Sequence, residues 1–141
     1  MFKLILFCAV LLIPFVSAYL SEEDYGPKLS AVANKVHNAC IKKHAVNEDT
    51  IMQVRKGNFV EDELIKKYIS CIWLLSTVLD ESGNLNIKII NDLCPPKGKD
   101  TLPKIYHDCH AENAGVSQLD EKVYNIMKCW YEKDPELFFV L

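Results

Sequence analysis

The stretch from Glu61 to Asn84, EDELIKKYISCIWLLSTVLDESGN, constrains this chain more than any other, because charge and hydrophobicity are segregated along it. Its first turns carry Glu61, Asp62 and Glu63, where the positive end of a helix dipole favours acids, followed by Lys66 and Lys67. From Ile69 onward the polar face disappears: Ile69, Ile72, Trp73, Leu74, Leu75, Val78 and Leu79 fall on all sides at the helical repeat. A helix that is apolar all round must be enclosed by protein. The pattern therefore predicts a central helix packed into a shell of others, ended by the turn chemistry of Asp80 to Asn84.

The remaining segments read as helices separated by polar joints. Ser21-Glu22-Glu23-Asp24 has the form of a capping box before a helix running to about His44, with Leu29, Val32, Ala33 and Val36 as its apolar stripe and Pro27 bending its start. Asn47 is placed to cap a short helix through Ile51, Met52 and Val54, which Gly57 stops. A short apolar piece carries Leu85, Ile87, Ile89, Ile90 and Leu93 and halts at Cys94-Pro95-Pro96. A helix from about Leu102 to Asn113 follows, and Ser117-Gln118-Leu119-Asp120 opens a last one with Leu119, Val123, Ile126, Met127 and Trp130 inward. No strand-like alternation or internal repeat is visible, so the expected class is all-α. The final run, Leu137 to Leu141, is apolar where a terminus would ordinarily fray, so it should dock, either completing the core or covering the mouth of a cavity.

Residues 1–18 read as a secretory signal peptide: a lone Lys3, an apolar run, and the small-residue ending Val16-Ser17-Ala18. The mature chain, 19–141, is then a single exported domain, secreted and extracellular. Without Lys3 it has 15 basic against 19 acidic side chains, and no basic patch argues for nucleic acid. Cys8 leaves with the signal, so Cys40, Cys71, Cys94, Cys109 and Cys129 reach an oxidising compartment. An odd number leaves one thiol over after two bridges, and arithmetic does not choose the pairs. No zinc-ligand spacing is present; His107 and His110, three apart, lack further ligands, so neither metal nor cofactor is expected. No hydrolase signature appears either, which points away from an enzyme.

The cysteine spacing resembles the insect odorant-binding and pheromone-binding family. With Cys40, Cys71, Cys109 and Cys129 as the first, third, fourth and sixth of that family's six cysteines, the vacant second and fifth fall at Lys67 and Asp120, with intervals of 26, 3, 37, 10 and 8 residues. The segments KYISC and KVYNIMKCWYEKDPE also look like the family, and loss of both the second and fifth marks its C-minus subgroup. The resemblance implies a compact six-helix shell, with a short C-terminal segment, around an internal apolar cavity. It implies bridges Cys40–Cys71 and Cys109–Cys129, leaving Cys94 as an unpaired thiol, buried or joining two chains. Lys67 and Asp120 should then lie close together, a charge pair where relatives have a disulfide.

The function so implied is a carrier that takes a small hydrophobic ligand, such as an odorant or pheromone, through aqueous lymph, with a membrane odorant receptor as the partner it would serve. A monomer or weak homodimer is expected. Pocket positions carried over are Ala33; Ile69, Trp73, Leu74 and Val78; Tyr106; and Ile126 and Trp130, with Met52 and Val54 from the second helix and Phe138 and Phe139 as a lid. Histidines and the carboxylates Glu132, Asp134 and Glu136 are candidates for acid-sensitive release. The competing expectation is a secreted interaction protein with a filled core.

Overall fold

The structure, a computed structural model, describes residues 19–141, so the signal-peptide expectation for 1–18 lies outside the described residues. Among them are six α-helices: α1 Gly26–His44, α2 Glu48–Arg55, α3 Glu63–Leu75, α4 Ile87–Leu93, α5 Leu102–Glu112 and α6 Leu119–Lys133. The only pairing of extended chain among the described residues is an isolated antiparallel bridge between Leu79 and Leu85. The class is all-α, as expected.

Local chemistry explains most of the boundaries. Asn47 caps α2 by accepting the Asp49 N–H at 2.8 Å, and Asp62 caps α3 by accepting from Leu64 and Ile65 at 2.7 and 3.0 Å. Past α2, Gly57 has φ +84° and its Cα faces the Tyr131 ring so closely that an added Cβ would lie 2.2 Å from it. Only glycine meets both demands. The two capping boxes do not form: Ser21, ahead of the first helical turn, makes no side-chain cap bond, and α6 begins at Leu119 with Gln118 rather than Ser117 in the cap position and no side-chain cap bond. Pro27 sits in the first turn of α1, where its missing N–H costs nothing, and starts that helix rather than bending it.

The central helix is shorter than its hydrophobicity suggests. Ser76 turns its hydroxyl onto the Ile72 carbonyl at 2.7 Å, and Thr77 takes a left-handed φ of 57°. Those two residues end α3 and send Val78 and Leu79 into the turn closed by the Leu79–Leu85 bridge. Enclosure is also incomplete at that end, where Leu75 is 54% exposed.

Helix α3 packs against α1 and α6, α5 against α6, and α4 against α1 and α5. Disulfides Cys40–Cys71 and Cys109–Cys129 tie α1 to α3 and α5 to α6. Cys94 is a half-buried free thiol. Between α3 and α6, the ammonium of Lys66, whose side chain is 7% exposed, meets Glu61 at 2.7 Å and Glu121 at 2.8 Å. Among the described residues no ion pair joins Lys67 to Asp120. Both nevertheless act on His44, whose pKa is lowered by burial first and by the cations beside it, with Asp120 opposing.

Candidate ligand-binding site

The chain after α6 positions the site. Asp134 accepts the Leu137 N–H at 3.1 Å, and the chain turns back so that Phe138, Phe139, Val140 and Leu141 are all buried. Phe138 is held through its carbonyl by the Leu20 N–H at 2.7 Å, and Val140 through its carbonyl by Arg55 Nε at 2.8 Å. The Tyr68 hydroxyl donates to the Leu141 backbone oxygen. His37 Nδ1 stands 2.6 Å from that hydroxyl, and its Nε2 3.0 Å from Glu48. Burial pushes the Tyr68 pKa well up, against the pull of Arg55, so the hydroxyl keeps the proton it donates.

This tail forms one wall of a narrow apolar cavity of about 50 Å³, to which Phe139, Val140 and Leu141 contribute. Helix α3 and the residues after it supply Ile69, Ile72, Trp73, Ser76 and Val78. The α4 end gives Ile90, Leu93, Cys94 and Pro95, α5 gives Leu102 and Tyr106, α6 gives Met127 and Trp130, and α1 gives Leu29. No charged side chain is among them. Trp73, Tyr106 and Trp130 pack in series as tilted pairs, with ring centroids 5.3 and 4.9 Å apart.

Of the residues carried over from the family pattern, Ile69, Trp73, Val78, Tyr106, Trp130 and Phe139 come together on this cavity. The others are elsewhere. Val54 and Ile126 are fully buried in the surrounding core, and Phe138 packs between Phe59, Trp130 and Tyr131. Ala33 lines a separate polar cleft with His37, Glu48 and Arg55. Leu74 borders an outer groove with Lys43 and Ile87, and Met52, half-buried on α2, has its sulfur 4.0 Å from the Tyr19 hydroxyl. His107 lies beside Asp108, and His110 Nε2 is 2.7 Å from the Gly83 carbonyl.

Sequence reading missed Leu29, Ile90, Leu102 and Met127 as cavity residues, although Leu29, Ile90 and Met127 lie among the apolar positions it had recognised and Leu102 opens a helix it had placed. Periodicity finds the inward face of a helix but does not say which inward residues border open space. Tyr68 and Arg55, which hold the tail, are 73 and 85 residues from their partners and carry no local signal. Cys94 faces the cavity with its pKa pushed up to about 11, chiefly by burial, so it is a neutral thiol rather than a nucleophile at neutral pH.

A profile of the PBP/GOBP family matches residues 22–133, most of the chain. The chain belongs to the PBP/GOBP family. It is similar to general odorant-binding protein 72 of Anopheles gambiae, with 23% identity over 116 residues that cover 79% of this chain and 95% of that relative. In fold it is similar to Apis mellifera odorant binding protein 5, with a TM-score of 0.68, 21% identity, and coverage of 80% of this chain and 94% of the other. A Locusta migratoria odorant binding protein gives a TM-score of 0.69 at 22% identity, covering 79% and 86%. Membership of the PBP/GOBP family makes the chain one of a group of secreted carriers of small hydrophobic ligands, not of enzymes. Among the described residues no helix is long and apolar enough to cross a membrane.

Proposed function

We propose that this PBP/GOBP protein encloses a small, neutral, hydrophobic semiochemical in the cavity between α1, α3, α4, α5, α6 and the C-terminal tail. The observation that carries the reading is a cavity wall with no charged side chain, one side of which is a tail fastened by a few polar contacts. Ile69, Trp73, Val78, Tyr106, Trp130 and Phe139 are its contact residues, with Phe138 packed against Trp130 and Val54 and Ile126 part of the same buried core. Burying ligand apolar surface supplies the affinity, at about 25 cal/mol per Å².

The volume of about 50 Å³ is small beside the roughly 300–1,000 Å³ typical of ligand pockets. Admission of a ligand therefore requires the wall to give, and the tail is the wall segment that ends the described chain and is held by a few polar contacts. Its hydrogen bonds are each worth about 1 kcal/mol net, a modest opposition to a shift of the tail that keeps its side chains buried against the ligand. In this reading residues 1–18 are a removed signal, residues 19–141 a single secreted domain, and the protein a C-minus member handing its cargo to a membrane receptor.

The narrow cavity itself favours a second reading, a secreted interaction protein whose core is full. Titration of the oxidised, delipidated chain with an apolar fluorescent probe, then competition with alcohols, esters, terpenoids and fatty acids, separates the two. Saturable one-to-one binding displaced by panel members is expected of the carrier; a folded protein that takes up nothing overturns it in favour of the interaction protein.

A further inference from the structure

Two buried side-chain polar atoms have no hydrogen-bond partner among the described residues: Ser70 Oγ and Trp130 Nε1. Ser70 does not line the cavity; Trp130 does, at 1% exposure. An indole N–H can only donate, and leaving it unpaired in the interior is costly, so in native structures such a group calls for an explanation. The Phe138 and Phe139 rings stand edge-to-face to Trp130 with centroids 5.0 Å away, and an aromatic face is a weaker acceptor than a carbonyl oxygen. Both rings belong to the tail, the wall segment expected to move when a ligand is admitted.

A second donor stands beside it. Tyr106, 9% exposed, lines the same cavity with its ring 4.9 Å from that of Trp130. Burial holds its hydroxyl firmly neutral, with a smaller push from Cys94 and no hydrogen bond contributing. By contrast the Ser76 hydroxyl, the other such group on the wall, is spent on the Ile72 and Trp73 carbonyls at 2.7 and 3.3 Å. Among the side chains of the wall, the polar character left is thus that of donors, with no Lys, Arg or His beside them.

We propose that the cavity selects uncharged molecules with an apolar body and a carbonyl acceptor, namely esters, ketones and aldehydes, which receive the Trp130 Nε1 proton with Tyr106 as the second donor. The proposal rests on the carrier reading and sharpens it. An alkane of equal length leaves both donors unpaired. A carboxylate supplies acceptors but brings a charge that no Lys, Arg or His of the wall compensates, and burying such a charge is far more costly than leaving a dipole unpaired. Each donor satisfied is worth about tenfold in affinity.

The test is a series of one chain length (alkane, acetate ester, methyl ketone and carboxylate) titrated into the mature chain with ¹⁵N-labelled indoles. The chain has two tryptophans, Trp73 and Trp130, so the indole spectrum holds two signals, which a Trp73→Phe variant assigns. The ester and ketone are expected to bind about tenfold or more tighter than the alkane and to shift the Trp130 N–H signal downfield, which the alkane does not. The carboxylate should bind weakest at neutral pH. Tyr106→Phe, which deletes one oxygen, should narrow the ester-over-alkane preference by up to about tenfold, read as the ratio of the two affinities within the variant. Equal binding of alkane and ester, or a Trp130 signal indifferent to the carbonyl, overturns the acceptor preference while leaving the carrier intact. Binding of no member overturns both.

Discussion

Truncating Phe139 to alanine separates the two things its ring does. The ring is 9% exposed and lies against Tyr25 and Trp130, centroids 5.1 and 5.0 Å away. Phe-to-Ala changes in cores cost about 3–5 kcal/mol; the low end, about 3, applies because one side of this ring already borders open space and has fewer contacts to lose. At roughly 4 °C per kcal/mol for a chain of this size, the melting temperature falls by on the order of 10 °C. The same change frees on the order of 100 Å³ next to the cavity, the scale at which an apolar void takes up a small apolar molecule. Phe138→Ala is the control: that ring is fully buried among Phe59, Trp130 and Tyr131 and does not line the cavity. It should cost as much or more, about 4 kcal/mol, without enlarging the site. Urea unfolding followed by tryptophan emission gives the stabilities, and titration with a graded series of apolar probes gives the size limit. The argument requires Phe139→Ala to accept larger probes than the parent while Phe138→Ala does not. If the two variants share one size limit, the assignment of the tail as cavity wall is wrong.

Tyr68→Phe removes the hydroxyl that donates to Leu141 and should cost about 1 kcal/mol, seen as faster amide exchange in the last residues. Glu61 has its pKa held down to about 2, chiefly by Lys128 and then Lys66. A lowered carboxyl pKa stabilises above its unfolded value of 4.5 and is lost as pH falls toward 2, so acid unfolding should steepen across that window, and Glu61→Gln should flatten it. Cys94, at a pKa of about 11 and facing the cavity, should alkylate slowly at pH near 8 and more slowly still with ligand bound, monitored by mass. Cysteines at Lys67 and Asp120 should oxidise spontaneously and raise the melting temperature, the loop of some fifty residues setting a chain-entropy ceiling of about 4 kcal/mol; a pair of free thiols in the folded variant would refute the alignment of those positions.

The helices were legible because their signals are local. Asn47, Gly57 and the Cys94-Pro95-Pro96 stop act within a turn of where they stand, and the spacing carried the family and with it both bridges. The end of α3 was not, since Val78 and Leu79 continue the helical pattern while the Ser76 hydroxyl and the left-handed Thr77 break it. Half of the carried-over pocket positions meet on the cavity and half do not, because residues such as Val54 and Ile126 are as apolar and as buried as Ile69 and differ only in what lies beyond them. That difference is tertiary, and no period in the sequence encodes it.

The charges around Lys67 and Asp120, the positions that the cysteine spacing aligns with the family's second and fifth cysteines, show what joins α3 to α6 there. Lys67, an exposed residue, makes no ion pair with Asp120; its neighbour Lys66 does the joining, from α3 to Glu121 on α6, with Glu61 as a second partner. The Lys66 side chain is 7% exposed while Glu61 and Glu121 are more open, so its stem is buried and its ammonium emerges between two carboxylates at the edge of the helix contact. The pair thus specifies how α3 sits on α6 more than it stabilises the contact. A disulfide at the same joint would fix that geometry covalently; an ion pair leaves the two helices free to yield by small amounts. Ile69 and Trp73 on α3 and Met127 and Trp130 on α6 all line the cavity, so a shift between these two helices would change the space a ligand occupies. One pair of helices thus carries both this buried-side-chain ion pair and a large share of the cavity wall.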